Sequence, residues 1–142
     1  MKIAIGSDHA GFGLKQRLIE YLTELGINPD DKGTYSLEST DYPPFAHAVS
    51  NSVENQEVDF GILICGSANG VAMTANKHAK IRCAICWNKE IAELARAHND
   101  ANIIAIPARF VTDEVAIAMV DIFLNKKFEG GRHQRRVDQI PV

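Results

Sequence analysis

The stretch Val58–Gly70 holds the residue of this chain whose neighbours best equip it for chemistry, Cys65. Phe60–Ile64 is a short apolar run with β-branched residues, bounded by turn-formers, and reads as a strand buried on both faces. After Cys65 come Gly66-Ser-Ala-Asn-Gly70 and an alanine-rich stretch, Val71 to His78, that reads as a helix. A thiol delivered into a small-residue loop at a helix N-terminus is a nucleophile or base beside free backbone N–H groups. Those groups suit a phosphate or an oxyanion formed during reaction. The plainer reading is a buried cysteine before an ordinary turn, and the stretch alone leaves both open.

Asp8-His9 follows the first strand, where a carboxylate beside an imidazole can handle hydroxyl protons or hold a phosphate. It equally suits the N–H groups of the next helix. His98-Asn99-Asp100 closes a helix, and His98, seven residues after Ile91, falls on the apolar face, where it reads as a core histidine. Gly6-Ser-Asp-His-Ala-Gly11 fits G-x-x-x-x-G, but Phe12-Gly13 replaces the lysine and hydroxyl of a P-loop. No G-x-G-x-x-G follows a strand. Cys83 and Cys86 form a C-x-x-C inside an apolar strand, where odd spacing sends the thiols to opposite faces. No His, Cys and carboxylate set has zinc-like spacing, so no metal is expected. Lys126, Lys127, Arg132, Arg135 and Arg136, opposed only by Glu129, form either a solvated face or an anion site.

The elements that position these groups alternate. Strands are expected at Lys2–Gly6, weakly at Ile27–Thr34, at Phe60–Ile64, at Ile81–Trp87 and at Ile103–Ile106. Between them lie helices Phe12 to Leu25, stopped by Gly26, and Phe45–Val53 after Pro43-Pro44. Asn88 caps a helix Lys89–His98 whose buried stripe is Ile91, Leu94 and Ala95, and Thr112 with Asp113-Glu114 starts the last helix. Gly130-Gly131 ends regular structure and leaves a basic tail. Such βα alternation implies a doubly wound, Rossmann-like αβα sandwich around a five-stranded parallel sheet, one domain over residues 1–142. Ligands then sit beyond the carboxyl ends of strands, at Ser7–Gly11, Cys65–Gly70, Trp87-Asn88 and Pro107–Phe110.

Composition restricts the functional classes. A net charge of −3 gives no bulk attraction to nucleic acid or anionic membranes. No apolar run approaches the roughly 20 residues of a membrane span. Three cysteines, an odd and sparse set, argue for a reducing compartment. With no targeting segment in view, the expected location is the cytoplasm.

Seven stretches together resemble the RpiB/LacAB family of sugar-phosphate isomerases. They are Gly6–Gly11, Asp31–Thr34, Thr40–Pro43, Gly61–Gly66, Ala75–Lys77, Ala97–Asp100 and Glu129–Val137, in order along essentially the whole chain. The resemblance implies aldose–ketose isomerisation through an enediol(ate), without metal or organic cofactor. It makes Cys65 the base between C1 and C2 and His98 the group assisting ring opening, with Asp8 near the same hydroxyls. Gly66, Ser67, Ala68, Asn69 and Gly70 become the anion hole, Ser67 also counting with the catalytic groups. His9, Arg109, Arg132 and Arg136 become phosphate ligands, and Asn99 binds sugar hydroxyls. It also implies a homodimer or tetramer with the site between subunits, so that His98 and the basic tail serve the neighbour's Cys65.

Three expectations accompany the resemblance. The helix N-terminus beyond Cys65 should lower the thiol pKa. The methyl of Ala68, where many relatives carry glycine, should hinder a left-handed backbone. With Val71 where some relatives carry a glutamate base, the base falls on Cys65. A pentose 5-phosphate is the expected substrate, with a 6-phosphohexose such as allose or galactose 6-phosphate as its rival. A non-catalytic phosphosugar- or nucleotide-binding module on the same fold and a basic-tail nucleic-acid binder are the readings from other classes.

Overall fold

A computed structural model describes residues 1–142. Its strands are β1 (Ile3–Ser7), β2 (Asp30–Asp31), β3 (Phe60–Cys65), β4 (Cys83–Ile85) and β5 (Ile103–Pro107). They form one all-parallel sheet in the order β2-β1-β3-β5-β4. The helices are α1 (Phe12–Glu24), α2 (Pro43–Glu54), α3 (Asn69–Ala75), α4 (Lys89–Asn99), α5 (Asp113–Asn125) and α6 (Arg132–Val137). No helix is long and apolar enough to cross a membrane.

The period-2 alternation of the strands divides the core in two. Ile3, Ile5, Ile62, Ile64, Ile104 and Ile106 pack with Leu14, Leu18 and Leu22 of α1, Ala92 and Ala95 of α4, and Met119, Val120 and Phe123 of α5. Ala4, Leu63, Cys65, Ile103 and Ala105 face the other way, against Val49 and Val53 of α2 and Val71, Ala72 and Ala75 of α3. Cys83 packs with this second layer and Cys86 is buried in the first, so the C-x-x-C is split across the sheet. Burial pushes the Cys83 thiol up, and that of Cys86 up to about 12.

The chain leaves β1 toward one edge and returns to β3 on β1's other side, which makes the β1/β3 boundary the switch point. Gly11 closes the gap there. A Cβ on it would stand 2.6 Å from the carbonyl oxygen of Ile64, so only glycine lets the turn after β1 lie against β3.

Several expected boundaries move. β2 shrinks to two residues because Pro29 lacks an N–H and Gly33-Thr34 turns to bond Ser7 instead: Ser7 N–H donates to Gly33 O and Thr34 N–H to Ser7 O, both at 2.7 Å. β4 covers only part of Ile81–Trp87. The helix after Cys65 begins at Asn69 and ends at Ala75, where the side-chain amide of Asn76 exchanges two hydrogen bonds with the backbone of Cys83. On α4 the buried face is Ala92, Ala95 and Arg96, and Leu94 is exposed. The basic tail is not irregular, since α6 turns Val137 and His133 inward and leaves Arg132 and Arg136 exposed, one helical turn apart.

Candidate active site

β1 and β3 deliver Asp8 and Cys65 side by side at the carboxyl edge of the sheet. Sγ of Cys65 lies 3.4 Å from Oδ2 of Asp8, and both residues are buried. The other oxygen, Oδ1, accepts the N–H of Ala10 at 3.0 Å and of Gly11 at 3.2 Å, capping the 3-10 turn His9–Gly11. The capping reading of Asp8 holds through Oδ1, and Oδ2 is left facing the Cys65 thiol.

The thiol is not acidified. Burial pushes the Cys65 pKa up, the negative charge of Asp8 and the hydrogen bond to it add to the rise, and the backbone N–H groups of Ala68 and Ser67 pull it down without prevailing. The expected lowering by the helix N-terminus is corrected: the nearby carboxylate and the loss of water outweigh two N–H groups. Asp8 is thus placed to receive the thiol proton.

The loop Gly66–Gly70 curls over Cys65. Ala68 adopts φ 65°, ψ −7°, the left-handed conformation expected to be hindered by its methyl, and that methyl is fully buried against the α2/α3 layer. The loop thus keeps its shape with alanine, at a backbone cost of about 1–2 kcal/mol. Ser67 is exposed, and its Oγ accepts from Asn69 Nδ2 at 3.2 Å. Arg109, following β5, donates its N–H to Gly66 O at 3.1 Å, and its guanidinium lies over Gly66. His9 accepts the N–H of Thr40 on Nδ1 at 3.2 Å, which leaves Nε2 as the ring nitrogen open to a ligand.

Sequence reasoning gave Tyr42 no role. A Cβ on Gly70 would stand 2.3 Å from Cζ of Tyr42, so the phenol ring walls the far end of the loop. The signal was available: Tyr42 lies in the Thr40–Pro43 stretch and precedes two prolines that start α2.

His98, Asn99, Arg132 and Arg136 are not brought to Cys65 within one chain. α4 ends at Asn99 and runs at once into β5, whose first residue, Ile103, pairs with Gly61 at the amino end of the sheet, whereas Cys65 pairs with Pro107 at the carboxyl end. That separates them by the length of a five-residue strand, roughly 13 Å. Asp100 fixes the turn in a left-handed conformation between two arginines, with Arg96 Nη1 at 2.8 Å and Arg82 Nη2 at 3.0 Å. His98 is half-exposed rather than a core residue, and its ring stacks on His133 of α6. The chain therefore holds the candidate residues in two groups, Cys65, Asp8 and the Gly66–Gly70 loop at one end of the sheet and His98, Asn99, Arg132 and Arg136 at the other.

Comparison with known proteins adds a direct likeness. The family described as Ribose/Galactose Isomerase matches residues 3–140. Ribose-5-phosphate isomerase B of Escherichia coli K12 is 48% identical over 139 residues, covering 98% of this chain and 93% of the relative. A crystal structure of a ribose 5-phosphate isomerase from Thermotoga maritima superposes with TM-score 0.97 at 48% identity, covering 99% of this chain and 97% of that one. Ribose-5-phosphate isomerase B of Mycoplasma genitalium, crystallised with bound ribulose-5-phosphate, superposes with TM-score 0.94 at 45% identity, covering 98% of this chain and 93% of that one.

Proposed function

The chain belongs to the ribose/galactose isomerase family, and from that premise we propose that two copies of it build a metal-free site in which Cys65 is the base. The reaction is the interconversion of ribose 5-phosphate and ribulose 5-phosphate. The observation that carries the assignment of the base is the 3.4 Å contact between Cys65 Sγ and Asp8 Oδ2 beneath the Gly66–Gly70 loop.

The cyclic aldose is first opened. His98 of a second copy gives a proton to the ring oxygen, the bond from C1 to that oxygen breaks, and the anomeric hydroxyl loses its proton as the aldehyde forms, restoring His98. Asp8 takes the Cys65 proton when substrate excludes water, and the thiolate removes hydrogen from C2. Charge developing on the C1 oxygen is met by the N–H groups of Ser67, Ala68, Asn69 and Gly70, with the Ser67 hydroxyl close by. A proton passes from the C2 hydroxyl to the C1 oxygen, Cys65 returns its proton to C1, and the ketose results.

The phosphate is held by Nε2 of His9 and by Arg109 of the copy that provides Cys65, with Arg132 and Arg136 of the second copy closing over it. Planar guanidinium forks suit a phosphate dianion. Asn99 takes sugar hydroxyls. The separation of the two half-sites within one chain supports an assembly of at least two subunits. Three free thiols, one of which must stay reduced to act, support a cytoplasmic location.

The test is steady-state isomerisation of ribose 5-phosphate by wild type and Cys65→Ser with EDTA present and allose 6-phosphate run in parallel. The reading expects pentose turnover that EDTA leaves alone and that the serine variant loses. Turnover of the hexose alone would replace the substrate, and full activity in Cys65→Ser would remove the base.

A further inference from the structure

His98 does not stand alone at the end of α4. Its ring lies face to face with that of His133, centroids 4.1 Å apart and planes 12° from parallel. Nε2 of each ring turns to the same carboxylate oxygen, Oε2 of Glu129, at 3.9 Å from His98 and 3.6 Å from His133. The backbone of Glu129 is itself tied to α4, its N–H donating to Ala97 O at 3.0 Å. Of the two rings, His133 is buried at 9% exposure and His98 is open at 37%.

Three possible ligand atoms within 4.8 Å of one another suggest a metal centre. The ring geometry opposes it. An imidazole binds a metal along its in-plane lone pair at about 2.0–2.1 Å, and the lone pairs of two stacked rings run side by side instead of meeting. The arrangement fits a histidine held between a flat partner and a carboxylate.

We propose that Glu129 and His133 are positioning residues for ring opening: His133 gives His98 the face it lies on, and Glu129 holds the His98 ring in one orientation. The inference rests on the assignment of His98 to ring opening. It is supported by the state of His133, which burial first, and then the charges of His98 and Arg132, hold below the usual histidine range. Two imidazoliums stacked at this distance would repel, and the downward shift of His133 relieves the stack of a second charge.

Ribulose 5-phosphate separates ring opening from enolisation. Its C5 oxygen carries the phosphate, so it cannot close to a furanose, and exchange of its C1 hydrogen with solvent deuterium needs only the base. The experiment measures that exchange by proton NMR, alongside kcat for ribose 5-phosphate, in wild type, Glu129→Gln, His133→Ala and His133→Phe. The expected result is a loss of about tenfold in ribose 5-phosphate turnover for Glu129→Gln and His133→Ala, with C1 exchange within twofold of wild type. His133→Phe, which keeps a flat face, restores most of the turnover. Parallel loss of exchange and turnover, or no loss of either, overturns the proposal. Cys65→Ser in the same series reads the base independently, since exchange surviving there refutes Cys65 and leaves the Glu129 outcome to stand or fall by its own split.

Discussion

Asp8 divides its carboxylate between a turn and a thiol: Oδ1 takes two backbone N–H groups, while Oδ2 lies 3.4 Å from Cys65 Sγ. The first oxygen cannot swing away without uncapping the turn, so the second is fixed on the thiol. The sign of the electrostatic effect follows. A negative charge beside a thiol disfavours thiolate, and the Cys65 pKa is raised partly for that reason. Asp8→Asn therefore lowers the pKa of Cys65. Alkylation of Cys65 by iodoacetamide, followed by peptide mass spectrometry against pH, should show its midpoint moved to lower pH. Isomerase activity should fall in the same variant, because the proton acceptor is gone. An unchanged or higher midpoint contradicts this account of the pair.

The Gly66–Gly70 loop gives a second prediction through Ala68. Relief of a left-handed alanine by glycine recovers about 1–2 kcal/mol, offset by the freer unfolded chain and by the loss of a fully buried methyl. Ala68→Gly should change stability by less than about 1 kcal/mol and leave kcat within twofold. Ala68→Val places a β-branched residue at φ 65° and should abolish activity. Denaturation curves and rates on the two variants decide it, and an active valine variant would show that the loop tolerates another shape.

Much of this fold was legible in the sequence because it is periodic. The isoleucine-rich strands and the Asn88 and Thr112 caps read correctly, the caps accepting the N–H of Ile91 and Val115. Of the expected stripe Leu14, Leu18, Leu22 and Leu25, the first three are buried and Leu25 is exposed. The expectation failed where long-range contacts decide. Nothing local marks Arg132–Val137 as a helix after two glycines; packing of His133 and Val137 against the body of the protein makes it one. The thiol pKa also escaped, because it depends first on burial and then on a carboxylate 57 residues away. Glu129 and His133 were visible only as parts of a basic stretch, since their stack with His98 brings together residues of α4 and the tail.

Lys15 tests how the Asp8 turn is held from behind. Its side chain is fully buried and its Nζ lies 2.5 Å from Asp31 Oδ1, which also accepts the N–H of Gly33 at 2.9 Å. Gly33 and Thr34 in turn bracket Ser7, the residue before Asp8. Lys15→Met keeps most of the stem but strands a charge, and should lower the unfolding free energy by about 3 kcal/mol. Activity at a temperature where the variant remains folded should fall as well. A variant as stable as wild type would mean that solvent at the partly exposed Asp31 fully replaces the lysine.

Arg132 predicts a binding effect. Loss of one charge-assisted hydrogen bond to phosphate removes about 1.5–3 kcal/mol, so Arg132→Ala should raise KM for ribose 5-phosphate roughly tenfold to a hundredfold with a smaller change in kcat. A normal KM would remove Arg132 from the phosphate site.

If one catalytic site takes Cys65 from one copy and the basic helix from another, subunit complementation reveals it. Cys65→Ala and Arg136→Ala are each assayed alone on ribose 5-phosphate, then unfolded together in equal amounts and refolded as a mixture. In a mixed dimer one site collects both substitutions and the other collects neither. With substrate kept well below the wild-type KM, where loss of a phosphate ligand costs most of the rate, random pairing predicts that the mixture regains about a quarter of wild-type activity, from two parents that are each nearly silent. A mixture no more active than its parents, with mixed dimers verified by mass spectrometry, would contradict the shared site.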